Sequence, residues 1–311
     1  MVAGCQARAT RPRASSLVVA LVAFAASACG SDSDAGKATP DGGGVIFKLP
    51  DGGGLLSPND GSKVATVLPP GFTQADVGGY RLGDPVPADA GALDAGTTSS
   101  PGGCGTTLLA VVRDFRSDGV NFEGAIADDR NLVQATLGAD LKPVFAQPGP
   151  TATTGGPADF DEWYRDVSGV NMPYVLYLWF QPNQVLTFHS TAFFPLDGKG
   201  FGNEGRSHNF HFTTEAHTEF LYKGGETFHF TGDDDLWVFV NKKLAIDLGG
   251  VHKAETAQID LDAQAPTLGI TKGNVYPLDF FHAERHTTES NFEVETDLSF
   301  VNCGTIVPNV H

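Results

Sequence analysis

GDDDLWVFVNKKLAIDLGGVH, residues 232–252, combines an acidic start with two apolar runs joined by a short polar link. The runs Leu236–Val240 and Leu244–Leu248 are rich in the branched and aromatic residues that favour β-strands. The polar link between them is typical of a tight turn. The stretch therefore predicts a β-hairpin with a cluster of carboxylates at its entrance.

The carboxylates of Asp233, Asp234 and Asp235 follow one another directly. Adjacent like charges repel, and a bound hard cation such as calcium, which takes six to eight oxygen ligands, would relieve that repulsion. Acidic residues are also common in turns, where water solvates them. The residues alone leave a calcium site and a hydrated turn as alternatives.

Working outward, short runs with a period of two fill the chain from Cys104 to Cys303. Two patches, Leu132–Ala139 and Asp159–Asp166, have helical character, and LYKGGETF from Leu221 is a second candidate hairpin. Candidate strands are Thr107–Phe115, Tyr174–Phe180, Gln184–Ser190, His208–Thr213, Thr218–Tyr222, Glu226–Thr231, Leu236–Val240, Leu244–Leu248, Thr256–Leu261, Val275–Glu284 and Asn291–Phe300. Many short strands with turn signals predict an all-β, antiparallel β-sandwich or barrel.

The N-terminal residues predict export. Arginines precede an apolar run from Leu17 to Ala28, so residues 1–28 are interpreted as a signal peptide. Small residues directly before Cys29 resemble a bacterial lipobox, which predicts lipidation of Cys29, membrane attachment through the lipid and an outer-membrane or cell-surface location. Ordinary cleavage, leaving Cys29 as a free thiol, is the alternative. Residues 29–103 are rich in Gly, Asp and Pro and predict a disordered tether.

Cys5 would be removed with the signal peptide and Cys29 would carry lipid, which leaves Cys104 and Cys303. Export implies an oxidising compartment, so these two are expected to form a disulfide that marks the domain edges. A zinc site is the poorer alternative, because neither has a second Cys at the usual short spacing. We expect residues 304–311 to form a C-terminal tail. The net charge of −17 and the lack of a basic stripe exclude nucleic acid as an expected partner.

A family resemblance covers nearly all of residues 104–303. The string SHNFHFTTEAHTEFLYKGGETFHFTGDDDLWVFVNKKLAIDLGGVH from Ser207, followed by YPLDFFHAERHTTESNFEVET from Tyr276, resembles the fibro-slime domain. WYRDVSGVN from Trp163 and FFPLDGKGFGNEG from Phe193 agree with it. That family is similar to the protective-antigen-type (PA-fourteen) domain, a β-barrel module of adhesins, glycosidases and toxins.

The resemblance implies a role for the acidic run. In lectin-like members of the wider family, two Asp residues joined by a cis peptide coordinate calcium, and the calcium contacts sugar hydroxyls. The matching pair is Asp233 and Asp234. Asp235 departs from the Gly often found next and is either a further ligand or a hydrated neighbour. Asn241 and Asp247 are candidate ligands that serve equally well as turn residues.

Histidines and tryptophans offer further candidates. HAERH, residues 282–286, has the His spacing of a helical zinc motif, but its Glu is misplaced and its context predicts a strand. These histidines are therefore expected to pack or hydrogen-bond within the domain, with Arg285 pairing a carboxylate. Trp237 is expected in the core and Trp163 in a more exposed position.

The sequence thus predicts a surface lipoprotein displaying a calcium-dependent, carbohydrate-binding or adhesive domain, with an extracellular glycan or matrix component as partner. The alternative is a structural module of an extracellular matrix or slime layer that binds proteins. An enzyme is not expected, because no nucleophile or phosphate-loop motif is present. A glycoside hydrolase remains the third reading, and it would need two carboxylates at a defined separation.

Overall fold

The computed structural model describes residues 68–87, 93–94 and 106–307. Contacts divide the chain into two units, Met1–Ser62 and Lys63–His311, and all described residues belong to the second unit. The predicted signal peptide, the lipidated Cys29, most of the tether and Cys104 lie outside the described residues. The Cys104–Cys303 disulfide therefore stays a prediction.

Eighteen strands and two short helices make up the described chain. The strands are β1 (Thr73–Gln74), β2 (Gly79–Pro85), β3 (Leu93–Asp94), β4 (Thr107–Phe115), β5 (Ala127–Asp128), β6 (Asn171–Trp179), β7 (Gln181–Pro182), β8 (Leu186–Ser190), β9 (Phe212–Leu221), β10 (Thr227–Gly232), β11 (Asp235–Val240), β12 (Lys243–Leu248), β13 (Gly250–Val251), β14 (Glu255–Asp260), β15 (Val275–Glu284), β16 (Phe292–Thr296), β17 (Ser299–Phe300) and β18 (Thr305–Ile306). The helices are α1 (Pro157–Asp161) and α2 (Leu261–Leu268). Among the described residues, no helix is long and apolar enough to cross a bilayer.

Two antiparallel sheets form a sandwich, which confirms the predicted fold class. The larger sheet has nine strands in the order β1-β2-β6-β4-β9-β15-β11-β12, with β17 paired to β9, and the smaller has the order β14-β10-β16-β8-β7. Phe212 and Phe280 from the larger sheet share one buried cluster with Phe188, Phe230 and Phe292 from the smaller. Burial of these aromatic side chains between the sheets supplies the main core.

The larger sheet is covered on its other face as well. Trp237, Phe239 and Phe281 form a second buried cluster with Phe160 and Trp163, which belong to the long connection between β4 and β6. All six residues of β11 are consequently buried, which explains why DLWVFV is an uninterrupted run rather than an alternating one.

Local predictions had mixed outcomes. The NKK hairpin is confirmed: β11 pairs with β12, and Asn241 and Lys242 take the positive φ values, 52° and 63°, of a two-residue turn. LYKGGETF is not a hairpin, because β9 and β10 belong to different sheets and the segment crosses between them.

The helical predictions were largely wrong. The patch at residues 132–139 is not helical and makes isolated bridges, Val133 to Phe145 and Thr136 to Lys243, that attach it to other segments. Helix α1 overlaps only the start of the second patch, and α2 was not predicted. Tertiary pairing overrides local propensity in these short segments.

The folded domain begins earlier than predicted. Strand β2 lies within the segment assigned to the tether, yet it pairs with β6, with Tyr80 opposite Leu178 and Leu82 opposite Leu176. Its sequence is short and flanked by Gly and Pro, and its partner strand lies far along the chain. Composition alone therefore could not distinguish this strand from a linker.

Candidate functional site

The acidic run lies where the chain passes from one sheet to the other. Strand β10 of the smaller sheet ends at Gly232, and β11 of the larger sheet begins at Asp235. The peptide bond between Asp233 and Asp234 is cis, as the family resemblance implied. The two side chains are only 4 % and 5 % exposed. The run is thus a buried crossover between the sheets and not a hydrated hairpin end.

Four N–H groups hold the carboxylates of this pair. The backbone N–H of Asn291 donates to Asp233 Oδ1 at 2.6 Å, and its side-chain Nδ2 donates to Oδ2 at 2.8 Å. The backbone N–H groups of His252 and Arg285 donate to Asp234 Oδ1 and Oδ2 at 3.0 and 3.1 Å. Residues from three separate segments therefore fix the orientation of both carboxylates.

Asp235 has a different role from its two neighbours. Its Oδ2 accepts from Arg285 Nε at 2.6 Å, and its Oδ1 accepts from the backbone N–H of Gly250 at 2.7 Å. Both members of this ion pair are completely buried. Asp235 is thus the charge partner of Arg285, and it does not reach the cavity described next. The predicted pairing of Arg285 with a carboxylate is confirmed.

A cavity of about 180 Å³ opens beside the Asp pair. Asp233 and Asp234 form one wall, and the loop after β15 supplies much of the rest. The full lining comprises Ile126, Asp233, Asp234, Val251, His252, Lys253, His286, Thr287, Thr288 and Glu289. The loop offers hydroxyl, carboxylate and carbonyl oxygens to any ligand in this cavity.

Carboxyl groups with raised pKa values are concentrated around the cavity. Burial, and then the nearby charge of Asp235, raises the pKa of Asp234 to about 7, and burial also raises the pKa of Asp233. Behind them, burial raises the pKa of Glu284 well above its usual range, with Asp234 and Asp233 adding to the shift. Both carboxyl oxygens of Glu284 are buried. A cation bound beside these carboxyl groups would favour their ionised forms and so lower the raised pKa values.

These residues fit a hard cation in part. Each carboxylate oxygen of the pair accepts one N–H bond and retains a second lone pair for a metal. Calcium needs six to eight oxygens, so Thr287, Thr288 or Glu289 would have to complete the shell. In the described part of the chain, no three His, Cys, Asp or Glu side chains are grouped to hold a metal. A cation here would therefore rely on the pair plus hydroxyl, carbonyl or water oxygens.

Two predicted ligands lie elsewhere, which corrects that part of the prediction. Asn241 lies beyond the far end of β11, whose six residues separate it from the pair by roughly 20 Å. Its Nδ2 donates to the carbonyl of Leu268 at 3.0 Å. Asp247 accepts from Trp237 Nε1 at 3.0 Å and from the backbone N–H of Asn131 at 2.8 Å. Both residues stabilise turns and loops, the alternative that the sequence had left open.

The histidines of HAERH serve the structure, as expected. His282 lies among the rings of Phe193, Phe230 and Phe292, and its Nε2 donates to the carbonyl of Asp233 at 2.7 Å. Burial lowers the pKa of His282 to about 4. His286 lies past the end of β15 and lines the cavity.

A separate group of ionisable residues around Glu215 and His217 forms a buried ion network. Glu215 pairs with Arg113 at 2.7 Å and with Lys142, and it accepts from His217 Nε2 at 2.8 Å. Burial acts to raise the pKa of Glu215, but the two cations outweigh it and the pKa is lowered. This network joins β4, β9 and the connection that covers the larger sheet, so its role is structural.

The tryptophan predictions were half right. Trp237 is buried in the core as expected, whereas Trp163, expected to be more exposed, is only 1 % exposed. Its ring packs against Phe160 and Trp237 and under the guanidinium of Arg285, 4.7 Å away. Irregular sequence around Trp163 indicated a loop, but that loop folds back onto the sheet.

Sequence reasoning missed Asn291 and His252 as partners of the Asp pair. Asn291 gave only the weak signal of beginning a predicted strand, and His252 follows the glycines that end the hairpin. His252 makes its contact through the backbone N–H, and Asn291 uses both its backbone N–H and its side-chain Nδ2, so side-chain chemistry could have pointed to only one of these bonds.

Comparison with known proteins finds one domain family that matches the C-terminal part of the chain. Residues 167–309, which include the Asp run and the cavity loop, match the PA14 domain family. Three proteins of Dictyostelium discoideum are similar: psiR is 40 % identical over 57 % of this chain, psiQ 42 % over 56 %, and psiD 38 % over 61 %. The matched regions span 19 %, 19 % and 39 % of those proteins, so the chain covers well under half of their length.

Solved structures give weaker likenesses. The PA14 domain of the MpAFP antifreeze protein is 9 % identical, with 66 % of this chain and 87 % of that chain covered at a TM-score of 0.26. A β-glucosidase from Kluyveromyces marxianus in complex with glucose is 14 % identical over 32 % of this chain and 11 % of that chain, at a TM-score of 0.19. At these TM-scores neither likeness carries an argument about function.

Proposed function

We propose that the described domain is a non-catalytic module that holds calcium at Asp233 and Asp234 and binds carbohydrate through it. Within this proposal the chain belongs to the fibro-slime group of PA14-type domains. Export and lipidation at Cys29 would display the domain at the outer membrane or cell surface, where it meets an extracellular glycan or matrix component. The match to the PA14 domain family supports the coarser part, a binding module.

One observation carries the proposal. Two buried carboxylates, oriented by four N–H bonds, form the wall of a cavity that is open to solvent. Carboxylates serving only the fold would be expected to have cationic partners, as Asp235 has in Arg285. The pair has none of its own among the described ion pairs, and a divalent cation would supply the missing charge.

Calcium would also explain how a small cavity could bind sugar. A bound calcium coordinates hydroxyl oxygens directly, so the protein needs few further hydrogen-bond donors. Lys253 and Glu289 at the cavity wall offer a donor and an acceptor to additional hydroxyls. Ile126 is an exposed apolar residue on the same wall, suited to the C–H face of a sugar ring.

The test combines a metal titration with a glycan screen on the full chain. Asp233→Asn with Asp234→Asn should abolish the heat of calcium binding and all chelator-sensitive glycan signals. Asn241→Gly is the matched control, because it removes a predicted ligand while Gly tolerates the positive φ of that turn. Unchanged glycan binding in the double Asn variant, or in chelator, would refute the proposal.

A second candidate function is a matrix module that binds protein partners without calcium. It is favoured by the fact that every oxygen of the Asp pair already accepts an N–H bond, so the fold can satisfy these carboxylates unaided. Under this alternative, calcium would produce no heat, and binding to matrix components would be insensitive to chelator.

A further inference from the structure

A second cavity, of about 270 Å³, lies under the segment that follows β4. It shares no residue with the cavity beside the Asp pair. Its lining comprises Phe115, Arg116, Asp118, Gly119, Val120, Asn121, Phe122, Asp159, Glu162, Trp163, Gly169 and Val170. It is smaller than the usual drug-sized site, so it suits a single side chain better than an extended ligand.

Aromatic side chains form the floor of this second cavity. The rings of Phe115 and Phe122 stack with their centroids 4.9 Å apart, and Trp163 contributes to the lining. Val120, also in the lining, is 70 % exposed, which is unusual for a large apolar residue in this fold. The floor therefore offers aromatic surface to a ligand, and Val120 offers further apolar contact.

Three carboxylates in the lining lack partners. Among the described residues, the side chains of Asp118, Asp159 and Glu162 make no ion pair or hydrogen bond, although Arg116 is in the same lining. The guanidinium of Arg116 lies instead over the ring of Phe201, 4.1 Å from its centroid. Burial, and then the charge of Asp159, raises the pKa of Glu162. The cavity thus carries negative charge that the described protein does not neutralise.

A separate unsatisfied group lies at the same cavity. The indole Nε1 of Trp163 is buried and has no acceptor within the described chain. A buried N–H without a partner is costly, so a ligand oxygen that reached it on a small side-chain adjustment would be favoured. The cavity therefore combines a buried indole N–H that has no acceptor with partly or fully exposed carboxylates that have no counter-charge among the described residues.

The walls are held in place before any ligand binds. Asn121 Oδ1 accepts from the backbone N–H of Gly155 at 2.7 Å, and Arg285 Nη1 donates to the carbonyl of Asn121 at 3.3 Å. Arg285 also stacks on Trp163. Preorganisation of this kind lowers the cost of ordering the site on binding.

We propose that this second cavity binds a basic side chain, lysine or arginine, of a polypeptide partner. The cationic head group would lie between the aromatic floor and the carboxylates, and a carbonyl of the partner's backbone would accept from Trp163. A neutral sugar would leave the carboxylates without a counter-charge. This site is independent of calcium and of the Asp pair.

The test uses the nitrogen-15-labelled full chain, whose three tryptophans give three indole N–H signals. Nα-acetyl-lysine N-methylamide is the probe, and its Nε-acetylated form is the uncharged control. The Trp163 signal should shift saturably with the lysine probe alone. The Trp179 signal should stay constant, because Trp179 lies outside the lining of this cavity.

Variants separate this site from general charge attraction. Asp159→Asn with Glu162→Gln should weaken binding of the probe by about fivefold, the sum of two partly exposed charge pairs. Asp84→Asn, on an exposed residue outside both cavities, should leave binding of the probe unchanged, and so should addition of chelator. Equal shifts with the acetylated probe, no Trp163 shift, or full binding by the double variant would overturn the proposal.

Discussion

Replacement of Arg285 by methionine tests the electrostatic design beneath the Asp pair. Arg285 Nε is 2.6 Å from Asp235 Oδ2, and both side chains are completely buried. The guanidinium also donates to the carbonyl of Thr153 at 2.7 Å and to its hydroxyl at 3.1 Å. Arg285→Met leaves Asp235 buried without a counter-charge.

Breaking one side of a buried ion pair costs about 3–5 kcal/mol, so we expect Arg285→Met to lose about 4 kcal/mol of unfolding free energy. With a urea m-value of about 3 kcal/mol/M, the unfolding midpoint should fall by roughly 1.3 M. Urea titration followed by tryptophan fluorescence measures this shift. Adding Asp235→Leu to Arg285→Met should recover part of the loss, because the stranded charge is removed.

The matched control is an ion pair of similar length at the surface. Arg165 Nη2 is 2.8 Å from Asp140 Oδ2, but these side chains are 27 % and 25 % exposed. Arg165→Met should therefore cost only about 0–1 kcal/mol. If Arg285→Met cost no more than Arg165→Met, burial would not be what makes the Arg285 pair important, and this reasoning would be refuted.

Three further predictions concern the fold. Burial acts to lower the pKa of His217, but its hydrogen bonds to Asp279 and Glu215 outweigh burial and raise the pKa above 6.5. The stability that protonated His217 contributes is therefore full below pH 6.5 and is lost as the pH rises through the folded-state pKa. The free energy of unfolding of His217→Gln, measured across pH, should lack that decline. Phe292→Ala should lower the free energy of unfolding, measured by heat or urea, by about 3–5 kcal/mol, because the centroid of its buried ring lies 4.8 Å from that of Phe193 and 5.2 Å from that of Phe230. Val275→Ala should cost far less, because Val275 is half-exposed. Gly250→Ala should destabilise the domain measurably in the same assay, because the φ of Gly250 is 123° and a Cβ there would collide with the carbonyl of Ala127. An unfolding midpoint equal to that of the wild-type chain would contradict the described backbone.

The sequence predicted the strands that carry a strong local signal. Thr107–Phe115 and Val275–Glu284 match β4 and β15 in full, because long β-type runs between turn residues leave little alternative. Strand β2 was missed, since a short segment in Gly-rich sequence becomes a strand only through its distant partner β6.

The candidate site was predictable only in its charged core. Asp233 and Asp234 stood out as adjacent acids, and the family resemblance singled them out as a pair. The loop at residues 286–289 and the bonds from Asn291 and His252 depend on how two sheets meet, which no local pattern encodes. Conversely, Asn241 and Asp247 are close to the pair in sequence but are directed elsewhere by the hairpin.

Calorimetric titration of calcium into the full chain tests the central claim most directly. We expect saturable heat at one site per chain, lost in Asp233→Asn with Asp234→Asn and retained in Asn241→Gly. Calcium should also raise the unfolding temperature of the wild-type chain and of Asn241→Gly, but not of the double Asn variant, because a ligand of the folded state stabilises it. Absence of heat from a correctly folded wild-type chain, or equal heat from the double Asn variant, would contradict the calcium site.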